Sequence, residues 1–177
     1  MDRVYELFPD YARDLKINLQ NVLKQPELTE QQTWGTAVAS AVASRNPQLM
    51  EAVLEKASQH LSPEAMGAAK SAAAIMGMNN IYYRFQHLSG NSRYSEIPAR
   101  LRMQAIRSHA SDPLDFELWC IAVSAINGCG ACVASHENVL REKGVTEETI
   151  LAAVRIASVI HGAASVLDAE AAVAQPA

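Results

Sequence analysis

At 177 residues the chain has the size of one domain, and its 49% hydrophobic content comes with only 6% aromatics because 30 positions are alanine. Only 7 prolines and 8 glycines accompany them, a composition that fits close-packed helices and argues against sandwiches, barrels and disorder. A net charge of −4 offers no basic surface for nucleic acid and no polybasic membrane anchor.

In chain order the pattern is helical throughout, with no sustained alternation to mark strands. The start, Met1 to Glu6, lacks the basic-then-apolar order of a secretory signal. Tyr11 to Leu23 carries Leu15, Ile17, Leu19, Val22 and Leu23 near helical spacing. Thr29-Glu30-Gln31-Gln32 is a capping start for a helix through Trp34 to Ser44. Asn46 caps the next helix, with Pro47 in its first turn and an end near His60. Leu61-Ser62-Pro63-Glu64 opens an alanine-rich helix through Met76, and Ser89 to Tyr94 reads as a loop. After Asp112-Pro113 comes a helix bearing Glu117, then Asn127-Gly128, which cannot comfortably continue it. A further helix therefore begins at or beside Cys129, runs through Leu140 and stops at Gly144. Thr146-Glu147-Glu148 starts the last one. No uninterrupted apolar run reaches about 18 residues, so no membrane span is expected.

Sliding the chain on itself by about 84 residues brings two halves into register. Trp34 falls on Trp119, Leu61 to Glu64 on Val145 to Glu148, and Ala73 to Met76 on Ala157 to Ile160. The expectation is one all-α domain over residues 1–177 with an internal repeat of about 30–85 and 115–170. The copies differ where the second carries Asn127-Gly128-Cys129-Gly130-Ala131-Cys132, so chemistry belongs in the second half.

Two cysteines at that spacing are too close to staple a fold, and three in all is an odd number. A reducing, cytoplasmic setting follows, in which cysteines serve chemistry or metals. At a helix N-terminus, unpaired N–H groups and the positive end of the dipole favour thiolates. The spacing also allows a small-ring disulfide, so that one sulfur displaces a product formed on the other. Two buried, inert cysteines are a further alternative, although Gly130 between them suggests an exposed turn. His136 lies four residues after Cys132, one turn along the same face, placed to move a proton. Glu117 is not forced onto His136 by spacing, and a lone acid early in a helix commonly just offsets the dipole. A zinc site of Cys129, Cys132, His136 and Glu117 is an alternative, although no second ligand pair is evident. Val133 after the second cysteine excludes the usual haem attachment, and the lack of strands excludes a thioredoxin fold. Cys120 reads as a small buried hydrophobe, His161 as a buried, satisfied histidine, and Met66, Met76 and Met78 as packing filler. His87 and His109 say nothing specific.

Phe116-Glu117-Leu118-Trp119, Ala122 through Cys129, Cys132 and His136-Glu137 resemble the active-site segment of the alkyl hydroperoxidase D (AhpD) family. In the first half Trp34-Gly35-Thr36, Ala43 to Pro47 and Ala73 to Asn80 agree too, so the likeness spans nearly the whole chain. The wider carboxymuconolactone-decarboxylase-like superfamily shares the fold, but many members lack the cysteine pair. The resemblance implies an all-helical, commonly trimeric, thiol-dependent peroxidase that reduces organic hydroperoxides to alcohols and binds no cofactor. It implies action beside the peroxiredoxin alkyl hydroperoxide reductase C, with the disulfide reduced by dihydrolipoamide on a lipoylated acyltransferase. Carried onto this chain, Cys132 is oxidised by peroxide, Cys129 donates a proton and closes the Cys129–Cys132 disulfide, and Glu117 and His136 match the proton relay. Ala131 stands where some members carry a histidine between the cysteines, so any part of the relay that needs it is absent and slower turnover is expected. Thiol–disulfide chemistry elsewhere usually makes the first cysteine the exposed nucleophile, whereas the resemblance gives peroxide attack to the second. A redox adaptor for a peroxiredoxin, a Cys/His metal-binding module and a thiol-independent lyase are the rival readings.

Overall fold

A computed structural model describes residues 1–174. Among these residues the structure is all-α: α1 (Asp2–Glu6), α2 (Arg13–Val22), α3 (Glu30–Ser44), α4 (Pro47–Ala57), α5 (Pro63–Ser89), α6 (Arg93–Glu96), α7 (Pro113–Ile126), α8 (Gly130–Glu142) and α9 (Glu147–Ala174). The capping signals act as their side chains require. Thr29 and Gln32 close a reciprocal capping box on α3, Asn46 Oδ1 accepts from the Leu49 N–H at 2.8 Å, and Ser62 Oγ accepts from the Ala65 N–H at 3.1 Å. Asp112 Oδ1 does the same for α7, with Pro113 in the first turn, where its missing N–H costs nothing.

Three expectations are corrected. The alanine-rich helix does not end at Met76 but continues to Ser89, because no glycine–proline or capping signal interrupts Gly77 to Leu88. The loop read from Ser89 to Tyr94 is entered by the short helix α6. His161 is exposed rather than buried, its Nδ1 3.3 Å from Ser44 Oγ, because Ile160, Ala163, Ala164 and Leu167 take the core face of α9.

The core forms where α3 meets α5, α7 and α9. Thr33 through Ala41 of α3 are all buried, as expected of a helix enclosed on every side. Small side chains let α7 approach closely: a Cβ on Gly35 would stand 2.2 Å from Trp119 Cε2. Asp115, 6% exposed, ties the two helices at one end by accepting from Gln31 and Gln32 at 2.7 and 2.9 Å. The triplets picked out by the repeat are helices of 15, 11 and 27 residues and of 14, 13 and 28. Helix α9 is long and apolar enough to cross a bilayer by length and composition, but half of its most apolar stretch is buried in the structure, where α9 packs against α2, α3 and α7. Helices α5, α7 and α8 pack on one another and enclose the cysteine pair.

Candidate active site

The turn from α7 to α8 positions the sulfurs. Gly128 takes a left-handed φ of +66°, and the Cys129 N–H reaches back to the Ser124 carbonyl at 3.1 Å, closing α7. The chain then reverses and Cys129 becomes the N-cap of α8, its Sγ accepting from the Cys132 N–H at 3.3 Å. Cys129 and Cys132 are joined as a disulfide with Cα atoms 5.3 Å apart. The turn is exposed at Gly128, Gly130 and Ala131, as Gly130 suggested, but the two cysteine side chains turn inward from it. Cys129 is 0% exposed, because as N-cap its side chain folds inward over the helix start, while Cys132, at 5%, borders a cavity of about 360 Å³.

That cavity is walled by Cys132, Ala131, Ser135, His136 and Val139 of α8, Glu117 of α7, Met76, Asn79 and Tyr83 of α5, and Ile106. The contact that spacing did not force is made: His136 Nδ1 lies 2.6 Å from Glu117 Oε2, with side chains 11% and 17% exposed. A carboxylate at that distance fixes the proton on Nδ1, leaving Nε2 as the nitrogen that gains or gives a proton. Nε2 lies 3.3 Å from Met76 Sδ. Met76 is thus buried filler, as its sequence position suggested, and also the floor beneath the imidazole. A hydrogen-bonded string pins the turn from behind: Arg84 donates to the Asn127 carbonyl, Asn127 Nδ2 to Asn80 Oδ1 at 2.9 Å, and Asn80 Nδ2 to Ser124 Oγ at 2.9 Å. These α5 residues were missed because the helix was ended at Met76. The signal was two adjacent asparagines inside a helix, in step with Met76 and Tyr83 at helical spacing.

Cys120 is buried and free, and burial pushes its thiol well above the ordinary value, with the Glu117 carboxylate adding to the rise. It stays protonated and inert, as read. Among the described residues no group of three or more His, Cys, Asp or Glu side chains is placed to hold a metal ion.

The chain is similar to known proteins over nearly its whole length. The chain is 65% identical to the alkyl hydroperoxide reductase AhpD of Solibacter usitatus over 171 residues, covering 97% of both chains. It is 60% identical to that of Acidobacterium capsulatum, covering 96% of this chain and 93% of the relative. It is 50% identical to that of Streptomyces griseus, covering 99% of each. The chain belongs to the AhpD family. The family model described as carboxymuconolactone decarboxylase matches residues 93–175, the segment that holds the cysteines, His136 and Glu117. Within the AhpD family, then, this chain presents a cysteine pair at the mouth of a helix with an acid–imidazole pair on the same cavity wall.

Proposed function

We propose that this protein is a thiol-dependent alkyl hydroperoxide reductase that works by a two-electron cycle on Cys129 and Cys132. The observation that carries the reading is the shared cavity: Cys132 borders the same space as the Glu117–His136 pair. In the reduced protein the Cys132 thiolate attacks the terminal oxygen of the hydroperoxide. The S–O bond forms, the O–O bond breaks, and the alkoxide leaves as alcohol with a proton from His136, which Glu117 orients. The Cys129 sulfur then attacks the sulfenic acid, its own proton leaving with the hydroxide as water, and the disulfide closes. Hydroperoxide and two thiols become alcohol, water and one disulfide.

On this reading an external dithiol, dihydrolipoamide carried by a lipoylated acyltransferase, resets the pair, and no cofactor is bound. The peroxiredoxin alkyl hydroperoxide reductase C is the partner, the setting is cytoplasmic, and the working form is a homotrimer. Exposed Ile81, Phe85, Leu88 and Ile97 give such an assembly apolar surface to cover.

Mass spectrometry tests the cycle. Reduced protein treated with an organic hydroperoxide should lose two mass units as Cys129 and Cys132 join, and dihydrolipoamide should restore them. Replacing Cys132 with Ser should abolish peroxide turnover, and a near-normal rate in that variant refutes the assignment. A coupled assay separates the adaptor reading, which expects little peroxide loss until the peroxiredoxin is added.

A further inference from the structure

We propose that the Asn79 carboxamide is the group that receives the terminal O–H of the hydroperoxide, so that the site selects peroxides bearing a free –OOH end; this rests on the peroxidase reading above. Asn79 borders the cavity beside Cys132 and His136, is 3% exposed, and its Oδ1 has no hydrogen-bond partner. Its neighbour Asn80 is a direct contrast. Equally buried on the same helix, Asn80 gives its nitrogen to Ser124 and takes a hydrogen from Asn127. One asparagine is satisfied by the protein, and the other is held beside the cavity with its oxygen unspent. A buried acceptor left unpaired costs stability, and such groups cluster where a ligand completes them.

The chemistry of the cavity decides which ligand. Glu117 and His136 Nδ1 occupy each other, and Met76, Ile106 and Val139 supply apolar wall, so the space beside the unpaired acceptor suits a hydrocarbon tail with one donor. A hydroperoxide has that form. Oδ1 is itself buried just behind the cavity surface; the terminal torsion of an asparagine is broad and no hydrogen bond holds this oxygen, so binding requires a turn of the carboxamide that presents Oδ1 to the cavity. A neutral amide is the right acceptor next to a thiolate, because a carboxylate there would repel it. With the O–H held by Asn79, the terminal oxygen is turned toward Cys132 and the other toward the proton on His136. When the O–O bond breaks, that hydrogen travels with the transferred oxygen and becomes the S–O–H hydrogen, still in reach of Asn79. A dialkyl peroxide or a disulfide reagent has no such hydrogen to offer.

The test compares two oxidants on the reduced full-length protein in single-turnover rapid-quench experiments: cumene hydroperoxide, which carries the O–H, and 4,4′-dithiodipyridine, which does not. Asn79→Leu, similar in volume and lacking the acceptor, should slow oxidation by cumene hydroperoxide by about tenfold, the worth of one neutral hydrogen bond. Its reaction with dithiodipyridine should match the wild type, and its melting temperature should equal or exceed it. Asn79→Ala carries the same comparison if the larger side chain does not pack. The inference is overturned if the variant keeps the wild-type rate with cumene hydroperoxide, or if both oxidants slow by the same factor. If the wild-type protein reacts with dithiodipyridine but not with cumene hydroperoxide, the peroxidase reading itself fails and takes this inference with it.

Discussion

Substitution of Gly35 by alanine probes the packing that holds α7, and so Glu117, in place. A Cβ added there would lie 2.2, 2.3 and 2.4 Å from Cε2, Cζ2 and Nε1 of Trp119. Ordinary carbon contacts begin at about 3.5 Å, so the ring must retreat by about 1.2 Å or more. Trp119 is 0% exposed and packs at 6.4 Å on Phe116, so it has no solvent side to move toward. Overpacking of a closed core costs about 1–3 kcal/mol, and a clash with a rigid ring belongs at the upper end. Against this, alanine in a helix interior gains ~1 kcal/mol over glycine. The net loss is about 2 kcal/mol, which for a chain of this length lowers the melting temperature by ~4–8 °C. Gly67→Ala is the matched control, since a Cβ at Gly67 on α5 meets nothing within 4 Å and the propensity gain stands alone. Thermal unfolding followed by circular dichroism should show Gly35→Ala falling and Gly67→Ala unchanged or rising. If the two variants melt together, the close approach of α3 and α7 is not as described.

Glu117→Gln keeps the shape beside His136 but removes the charge, and should lower hydroperoxide turnover by about 10²–10⁴-fold, the usual worth of a proton-transfer pair; steady-state rates equal to wild type would refute a role for the pair. Reduced protein treated with iodoacetamide at neutral pH should take up label on Cys132, which borders the cavity, but not on Cys120 until it is denatured, which peptide mass mapping reads directly. Because burial raises the Cys120 thiol above the ordinary value of 9.0 in the folded state, the unfolded chain releases that proton first. Its contribution to stability is therefore intact below about pH 9 and is lost as the pH rises further, and Cys120→Ala should flatten that alkaline slope in denaturant titrations. In single-cysteine comparisons, the thiol left in Cys129→Ser should react with dithiodipyridine faster than the thiol left in Cys132→Ser, because only Cys132 borders the cavity; the reverse order would overturn the burial described.

Helix starts were legible because each is written by a short-range device: Thr29, Asn46, Ser62 and Asp112 cap the helices that follow them, and a hydroxyl, amide or carboxylate oxygen three residues ahead of a free N–H needs no tertiary context. The cysteine pair and His136 were legible for the same reason, since one helix carries Cys132 and His136 a turn apart. The Glu117–His136 contact was not, because it depends on how α7 crosses α8, and spacing within one helix says nothing of that. Asn79 and Tyr83 were missed through the end assigned to α5: the helix runs on past Gly77, a residue with nothing near where its Cβ would be and no φ that would break the helix. His161 was misplaced because an alanine-rich helix has a weak apolar stripe, so the sequence does not show sharply which face is inside.

The burial of Cys129 bears on which sulfur does what in the proposed cycle. Of the two sulfurs only that of Cys132 borders the cavity, which in the proposed cycle favours Cys132 as the sulfur that both the peroxide and the dithiol attack. In re-reduction Cys129 is then the leaving sulfur. The Cys132 N–H that points at Cys129 Sγ, together with the positive end of α8, stabilises the thiolate that leaves. A hydrogen bond already in place on the departing sulfur eases cleavage of the S–S bond, so the N-cap position suits Cys129 to that role. In the oxidative half the same inward sulfur sits behind the sulfenic acid, shielded from bulk peroxide until Cys132 has reacted. On the proposed cycle the two cysteines differ in role because one caps the helix and the other, on the first turn, borders the cavity.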